Sequence, residues 1–139
     1  MKNIPAISTI MSVKIITLTK ADDLEKAEHL FKKHKIRHIP VVEGRAIIGI
    51  LSYTDLLRIS FADAVDETED EIESLVYNMF TIEQVMAKNV ETVNSDTSIK
   101  DVAKILAKRE FHALPIVDDG NLVGIVTTTD LINYLLMQL

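Results

Sequence analysis

The chain repeats itself. Displaced by 75 positions along its own length, with no gap, it places Met11 on Met86 and makes Ile7/Ile82, Thr17/Thr92, Pro40/Pro115, Val42/Val117, Gly49/Gly124, Ile50/Ile125, Thr54/Thr129, Asp55/Asp130 and Leu56/Leu131 identical. Composition alone gives roughly three or four identities over such a stretch, and the matches include the proline and glycine positions that punctuate a backbone. A duplicated sequence specifies a duplicated unit. In a chain of 139 residues two such units are each small for a hydrophobic core of their own, so a shared core is expected.

Each copy has the same pattern. Ile15 to Leu18 suits a short strand, and Asp22 is expected to open a helix whose Leu24, Ala27, Leu30 and Phe31 fall on one face. In the second copy Ser98 opens the helix, with Ile99, Val102, Ala103 and Leu106 on its face. Both starts have a carboxylate three residues on, Asp22 with Glu25 and Ser98 with Asp101, a spacing that satisfies orphan amides. Two β-rich runs follow, Ile39 to Glu43 and Ala46 to Leu51 around Gly44 and Arg45; the second copy has Leu114 to Val117 and Leu122 to Val126 around Asp118, Asp119 and Gly120. These read as hairpins. A second helix starts near Tyr53 and near Thr128. Between the copies, seven acids and no base lie from Asp63 to Glu73, followed by Ile72, Leu75, Val76 and Met79 at helical spacing. An amphipathic linker helix is expected there. The division is therefore 1–62 for the first repeat, 63–79 for the linker and 80–139 for the second repeat.

Several functional classes are excluded by what the chain lacks. It has no cysteine, so disulfides, thiolate metal sites and cysteine nucleophiles are out. A formal charge of -6 argues against nucleic-acid binding, which needs a concentrated basic face. No apolar run approaches the roughly 18 residues of a membrane span, and the N-terminus has no secretory pattern, so a cytoplasmic protein is expected. Four scattered glycines make neither a P-loop nor a dinucleotide fingerprint. The acidic run lacks the alternating ligands and central glycine of an EF-hand. His34 and His38 are four apart, but the predicted helix ends between them, and no His-Glu-x-x-His arrangement is present. His29 and His34 read as solvated helix residues. No convergent nucleophile, base or acid pair marks an enzyme.

The segment that carries chemistry is Gly49-Ile-Leu-Ser52-Tyr53-Thr54-Asp55 with its twin Gly124-Ile-Val-Thr127-Thr128-Thr129-Asp130, each at a strand end and helix start. Hydroxyls and free amides at a helix N-terminus suit a phosphate. A carboxylate one turn in can accept both hydrogens of a ribose diol. The upstream glycine permits close approach of a ligand or of another backbone. The same Ser/Thr and Asp spacing is also a capping-box helix start, and the residues alone leave the two readings open.

Two gapless copies of strand, helix, proline-bearing strand, strand and helix, each ending in glycine, two apolar residues, Ser/Thr, two further residues and Asp, resemble CBS domains in tandem. The resemblance covers the chain from about Ile7 to Ile132 apart from the acidic linker. It implies an α/β fold of two β-α-β-β-α repeats packed around a pseudo-twofold axis with two clefts between them, binding AMP, ADP, ATP or S-adenosylmethionine as a regulatory ligand, with no cofactor required and no catalysis. By position, one cleft would use Thr127, Thr129 and Asp130 with His112, joined by Thr17 and the edge at Ile36 and Arg37. The other would use Ser52, Thr54, Asp55 and Arg37 or His38, joined by Thr92, Phe111 and His112. His38 and His112 precede prolines, where imidazole can lend positive charge to a phosphate. The resemblance also implies a homodimer and an unidentified regulated protein, with no nucleic-acid or membrane partner. The apolar C-terminal residues Leu131, Ile132, Leu135, Leu136 and Leu139 suit helix packing first and a dimer surface second. A ligand-free dimerisation or partner-docking module is the alternative.

Overall fold

A computed structural model describes residues 4–62, 79–109 and 112–139. The acidic linker, all but Met79, lies outside the described residues. In chain order the elements are a 3-10 turn (Ile7–Thr9), α1 (Leu24–His34), β1 (His38–Glu43), β2 (Ala46–Ser52), α2 (Tyr53–Ala62), α3 (Ile82–Val85), α4 (Ile99–Lys108), β3 (Ala113–Asp118), β4 (Asn121–Thr127) and α5 (Thr128–Gln138).

Two compact units result: Ile16–Val90, and Met1–Ile15 together with Glu91–Leu139. The division by contact thus crosses the division by repeat. Residues before the first copy's helix join the second copy's hairpin: Ser12 exchanges backbone hydrogen bonds of 2.9 and 3.0 Å with Ile125. In the other unit the segment after α3 does the same, with Ala87 and Ile50 exchanging bonds of 2.8 and 3.1 Å.

Each unit is built on one antiparallel hairpin, β1 with β2 and β3 with β4. Its two-residue loop requires left-handed backbone, supplied by Gly44 at φ +62° and by Asp119 and Gly120 at φ 52° and 81°. The register shifts once in each hairpin, between Val41 and Val42 and between Ile116 and Val117, which are repeat-equivalent positions.

The strand expected over Ile15 to Leu18 is reduced to a single rung. Leu18 donates to the Pro40 carbonyl (3.0 Å) and accepts from the Val42 amide (2.8 Å), running parallel to β1. Its twin Val93 pairs likewise with Pro115 and Val117 at 3.3 and 2.8 Å. The next parallel rung needs an N–H from residue 40 or 115. Both are proline and have none, so the ladder stops after one residue.

The helix starts also refine the sequence reading. Asp23, not Asp22, caps α1, accepting from the Lys26 amide at 2.8 Å. Asp22 instead closes the preceding turn, taking the Thr19 amide at 2.8 Å and the Lys26 ammonium at 2.9 Å. Ser98 caps α4 as expected, accepting from the Asp101 amide at 3.1 Å.

Buried side chains form two clusters, one in each unit, and both sequence repeats contribute residues to each. In Ile16–Val90, Leu24, Ala27 and Phe31 of α1 pack on Ile39, Val41 and Leu51 of the hairpin and Leu56 of α2, with Leu18, Ile82 and Met86 completing the cluster. In the other unit Ile99, Val102 and Leu106 of α4 meet Leu114, Ile116 and Val126, joined by Ile7 from the N-terminal segment. Each fully buried aliphatic side chain contributes about 1.5–3 kcal/mol relative to exposure.

Candidate functional site

Each unit brings a strand directly into a helix: Ser52 ends β2 and Tyr53 begins α2, while Thr127 ends β4 and Thr128 begins α5. The first helical amide would otherwise lack a partner. It is satisfied from the far side of the hairpin, where Tyr53 donates to the Arg37 carbonyl at 2.8 Å and Thr128 to the His112 carbonyl at 2.9 Å. The Thr128 hydroxyl also donates to the His112 carbonyl at 3.3 Å. These bonds hold the residue before the first hairpin strand beside the helix start, with the Arg37 and His112 side chains exposed.

The two carboxylates one turn in have distinct surroundings. Asp130 is in a full capping box: its amide donates to the Thr127 hydroxyl at 3.2 Å, and its Oδ2 accepts from the Thr127 amide at 2.9 Å. Asp55 has half of that arrangement, its amide donating to the Ser52 hydroxyl at 3.0 Å. The Asp55 Oδ1 lies 3.6 Å from a guanidinium nitrogen of Arg58. The capping reading of the motif is therefore realised in both copies. Capping does not use up the carboxylates. An ionised Asp offers about four acceptor positions, and among the described residues Oδ1 of Asp130 accepts no hydrogen bond.

The glycines of the motif serve the other of their two readings, the approach of a second backbone. A Cβ on Gly49 would lie 2.9 Å from the Ala87 carbonyl oxygen, and one on Gly124 would lie 3.2 Å from that of Ser12. Met86 and Met11 cover the same faces.

In the unit Ile16–Val90, hairpin register sets His38 opposite Ser52 and so collects Arg37, His38, Ser52, Thr54 and Asp55 at one end. Thr17 is half-buried one residue before the Leu18 rung, and Ile36 is half-buried against the core, adjoining Arg37. In the other unit Ala113 opposite Thr127 brings His112, Thr127, Thr129 and Asp130 together. Thr92 is exposed one residue before the Val93 rung, and Phe111 lies outside the described residues. Sequence reasoning missed Tyr53, Thr128 and Arg58. The spacing of Arg58 three residues after Asp55 on a helix was the signal for the last.

Two carboxylates have lowered pKa values, both outside these junctions. At Asp22, burial pushes the value up, but hydrogen bonds from Lys26 and Thr19 and the Lys26 charge outweigh it. At Asp118 the Ser95 hydroxyl and amide stabilise the anion, the amide at 2.9 Å. Among the described residues no three His, Asp or Glu side chains gather as metal ligands, and no helix is long and apolar enough to cross a membrane.

A family model described as CBS domain matches residues 7–62 and 82–137. The CBS domain-containing protein YhcV of Bacillus subtilis is 28% identical over 91% of this chain and 82% of its own length. Inosine-5'-monophosphate dehydrogenase of Korarchaeum cryptofilum is 30% identical, but the chain spans only 21% of that enzyme. Among solved structures, the CBS domain pair of protein MJ0100, in complex with 5'-methylthioadenosine and S-adenosyl-L-methionine, superposes with a TM-score of 0.80 at 27% identity, covering 99% of this chain and all of that one.

Proposed function

Because the chain belongs to the CBS-domain family and carries two repeats on one polypeptide, we propose that it is a regulatory module that binds an adenosine-containing ligand and catalyses no reaction. The observation that carries this reading is the strand-to-helix junction built twice over. In each copy a hydroxyl, a partly exposed carboxylate and an exposed basic or imidazole side chain converge where a helix begins. The carboxylate takes the ribose diol, and the basic side chain with the hydroxyls takes a phosphate or orients the 5' substituent. The ligands of the MJ0100 pair, both adenosine compounds, support the class. Asp55, Ser52, Thr54, Arg37 and His38 form one set, and Asp130, Thr127, Thr129 and His112 form the second. Regulation follows only where the ligand prefers one conformation or partner complex over another.

Thermal-shift and calorimetric titration with AMP, ADP, ATP, S-adenosylmethionine, 5'-methylthioadenosine and guanosine controls tests the proposal. At 100 times its dissociation constant a ligand at one site stabilises the fold by about 2.7 kcal/mol. Selective stabilisation by an adenosine compound, lost in Asp55→Ala or Asp130→Ala, is the expected result. No response to any compound from a folded protein defeats it.

One observation favours a second reading, a dimerisation or docking module that needs no ligand. On α5, Ile132, Leu135 and Leu136, at the i, i+3 and i+4 spacing of one helix face, are 52%, 57% and 62% exposed, an apolar face of the kind that associates. Sedimentation showing only monomer at working concentration removes the homodimer form of this reading.

A further inference from the structure

The two junctions differ in permanent charge. Arg37 and His38 of the first correspond to His112 and Ala113 of the second, and Arg58 corresponds to Asn133. From this difference we infer that Arg58 sets ligand charge selectivity: the Asp55 junction takes phosphate-bearing adenosine ligands, and the Asp130 junction takes adenosine ligands without a phosphate. The inference rests on the proposed ligand-binding role and specifies its ligands.

Geometry makes Arg58 the deciding residue. It stands three residues after Asp55 on α2, and helical side chains lean toward the N-terminus, which brings its guanidinium back over the helix start. The nitrogen-to-oxygen distance of 3.6 Å to Asp55 exceeds that of a good hydrogen bond. The contact is an ion pair, and the Arg58 side chain is 75% exposed, so solvent screens it and exchange for another anion costs little. A guanidinium has five donors in a planar fork that matches a phosphate, and among the described residues Asp55 is its one ionic partner. Asp55 can then turn to the ribose while Arg58 turns to the phosphate. The Asp130 junction has no such exchange. After Asp130, α5 continues Leu-Ile-Asn-Tyr-Leu-Leu-Met-Gln, without a basic residue, and the carboxylate repels an incoming phosphate. Among the described residues, the Thr128 amide holds His112, an imidazole and not a permanent cation, beside that helix start. An uncharged or sulfonium-bearing adenosine compound meets no such repulsion.

Calorimetric titration of the full chain with AMP and with 5'-methylthioadenosine, at fixed ionic strength, tests the inference in wild type, Arg58→Asn, Arg58→Lys and Asn133→Arg. Arg58→Asn is expected to weaken AMP up to about fivefold, the scale of an exposed ion pair, and to leave 5'-methylthioadenosine unchanged. Arg58→Lys keeps most of the AMP affinity, and Asn133→Arg raises AMP affinity by a similar factor. Circular dichroism and the melting temperature of each variant confirm the fold. Binding of both compounds with an AMP to 5'-methylthioadenosine ratio unmoved by Arg58→Asn overturns the inference and leaves the ligand-binding role standing. Failure of every adenosine compound to bind wild type overturns both.

Discussion

At the turn before α1, the Thr19 amide and hydroxyl donate to the Asp22 carboxylate. At the matching turn before α4, the acceptor has moved to the other end: Asn94 Oδ1 accepts from the Asp96 amide and the Thr97 hydroxyl. The same exchange of means occurs at the segment that crosses between repeats. Thr81 and Gln84 form a capping box, and Ile82–Val85 is an α-helix. The equivalent Ala6 has no side-chain acceptor, and Ile7–Thr9 winds as a 3-10 turn. Two copies can therefore diverge at such capping positions while keeping one order of elements, provided each orphan amide finds some acceptor. What does not survive unchanged is the chemistry left facing solvent: Asp55 has Arg58 beside it, whereas Asp130 is tied into its own cap.

The largest difference between the units is predicted in their cores. Leu56 is fully buried, whereas its twin Leu131 is half-buried. Leu56→Ala should cost about 2–5 kcal/mol in urea denaturation and Leu131→Ala only about 1–2 kcal/mol, in keeping with its smaller buried area. Equal losses would break the comparison. Next come the motif glycines. Gly49→Ala forces a Cβ toward the Ala87 carbonyl at 2.9 Å and is expected to destabilise by about 1–3 kcal/mol. Gly124→Ala, with 3.2 Å to the Ser12 carbonyl, should cost less, and the reverse order would show that the approach of the two carbonyls does not set the limit.

Capping effects are smaller. Thr127→Ala removes the hydroxyl of a reciprocal box and should cost about 1–2 kcal/mol, against about 0.5–1 kcal/mol for Ser52→Ala, which removes a single bond. The least effect is expected from pH. Asp22 and Asp118 have folded pKa values below the ordinary 3.8. Their contribution is therefore complete above pH 3.8 and is lost as pH falls through the folded-state values. Asp22→Asn and Asp118→Asn should each flatten the acid limb of the stability curve and leave its neutral plateau shape unchanged. An acid limb as steep as wild type in both variants would place the proton uptake elsewhere.

Much of this was legible in sequence because the duplication supplies its own control. The hairpin turns at Gly44 and Gly120, the Ser98 cap and the two strand-to-helix junctions all follow from residue type and spacing. Applied to Ser98, the 75-residue displacement also selects Asp23 as the α1 cap, a local carboxylate pattern having favoured Asp22. Other features depend on partners distant in the chain. The one-rung strand at Leu18 is decided by the missing N–H of Pro40. The tight contact at Gly49 is decided by Ala87, and neither partner is marked by periodicity. In the candidate site, the hydroxyl and carboxylate positions were readable. The anchoring of Arg37 and His112 by the first helical amide was not, because a backbone bond leaves no trace in side-chain identity.

The crossing of segments between repeats has a consequence for the order of assembly. Ile16–Val90 is continuous, so every residue it needs has left the ribosome once residue 90 has emerged. The other unit draws on both ends of the chain. Its Pro5 carbonyl receives the first amide of α4 from Ile99, and its Ile7 amide reaches the Thr97 carbonyl. Closing it means joining positions about ninety residues apart, an entropic cost that grows only slowly with length but slows folding through non-local contacts. Synthesis thus presents the two halves in sequence, with the N-terminal segment waiting for the hairpin on which it will lie.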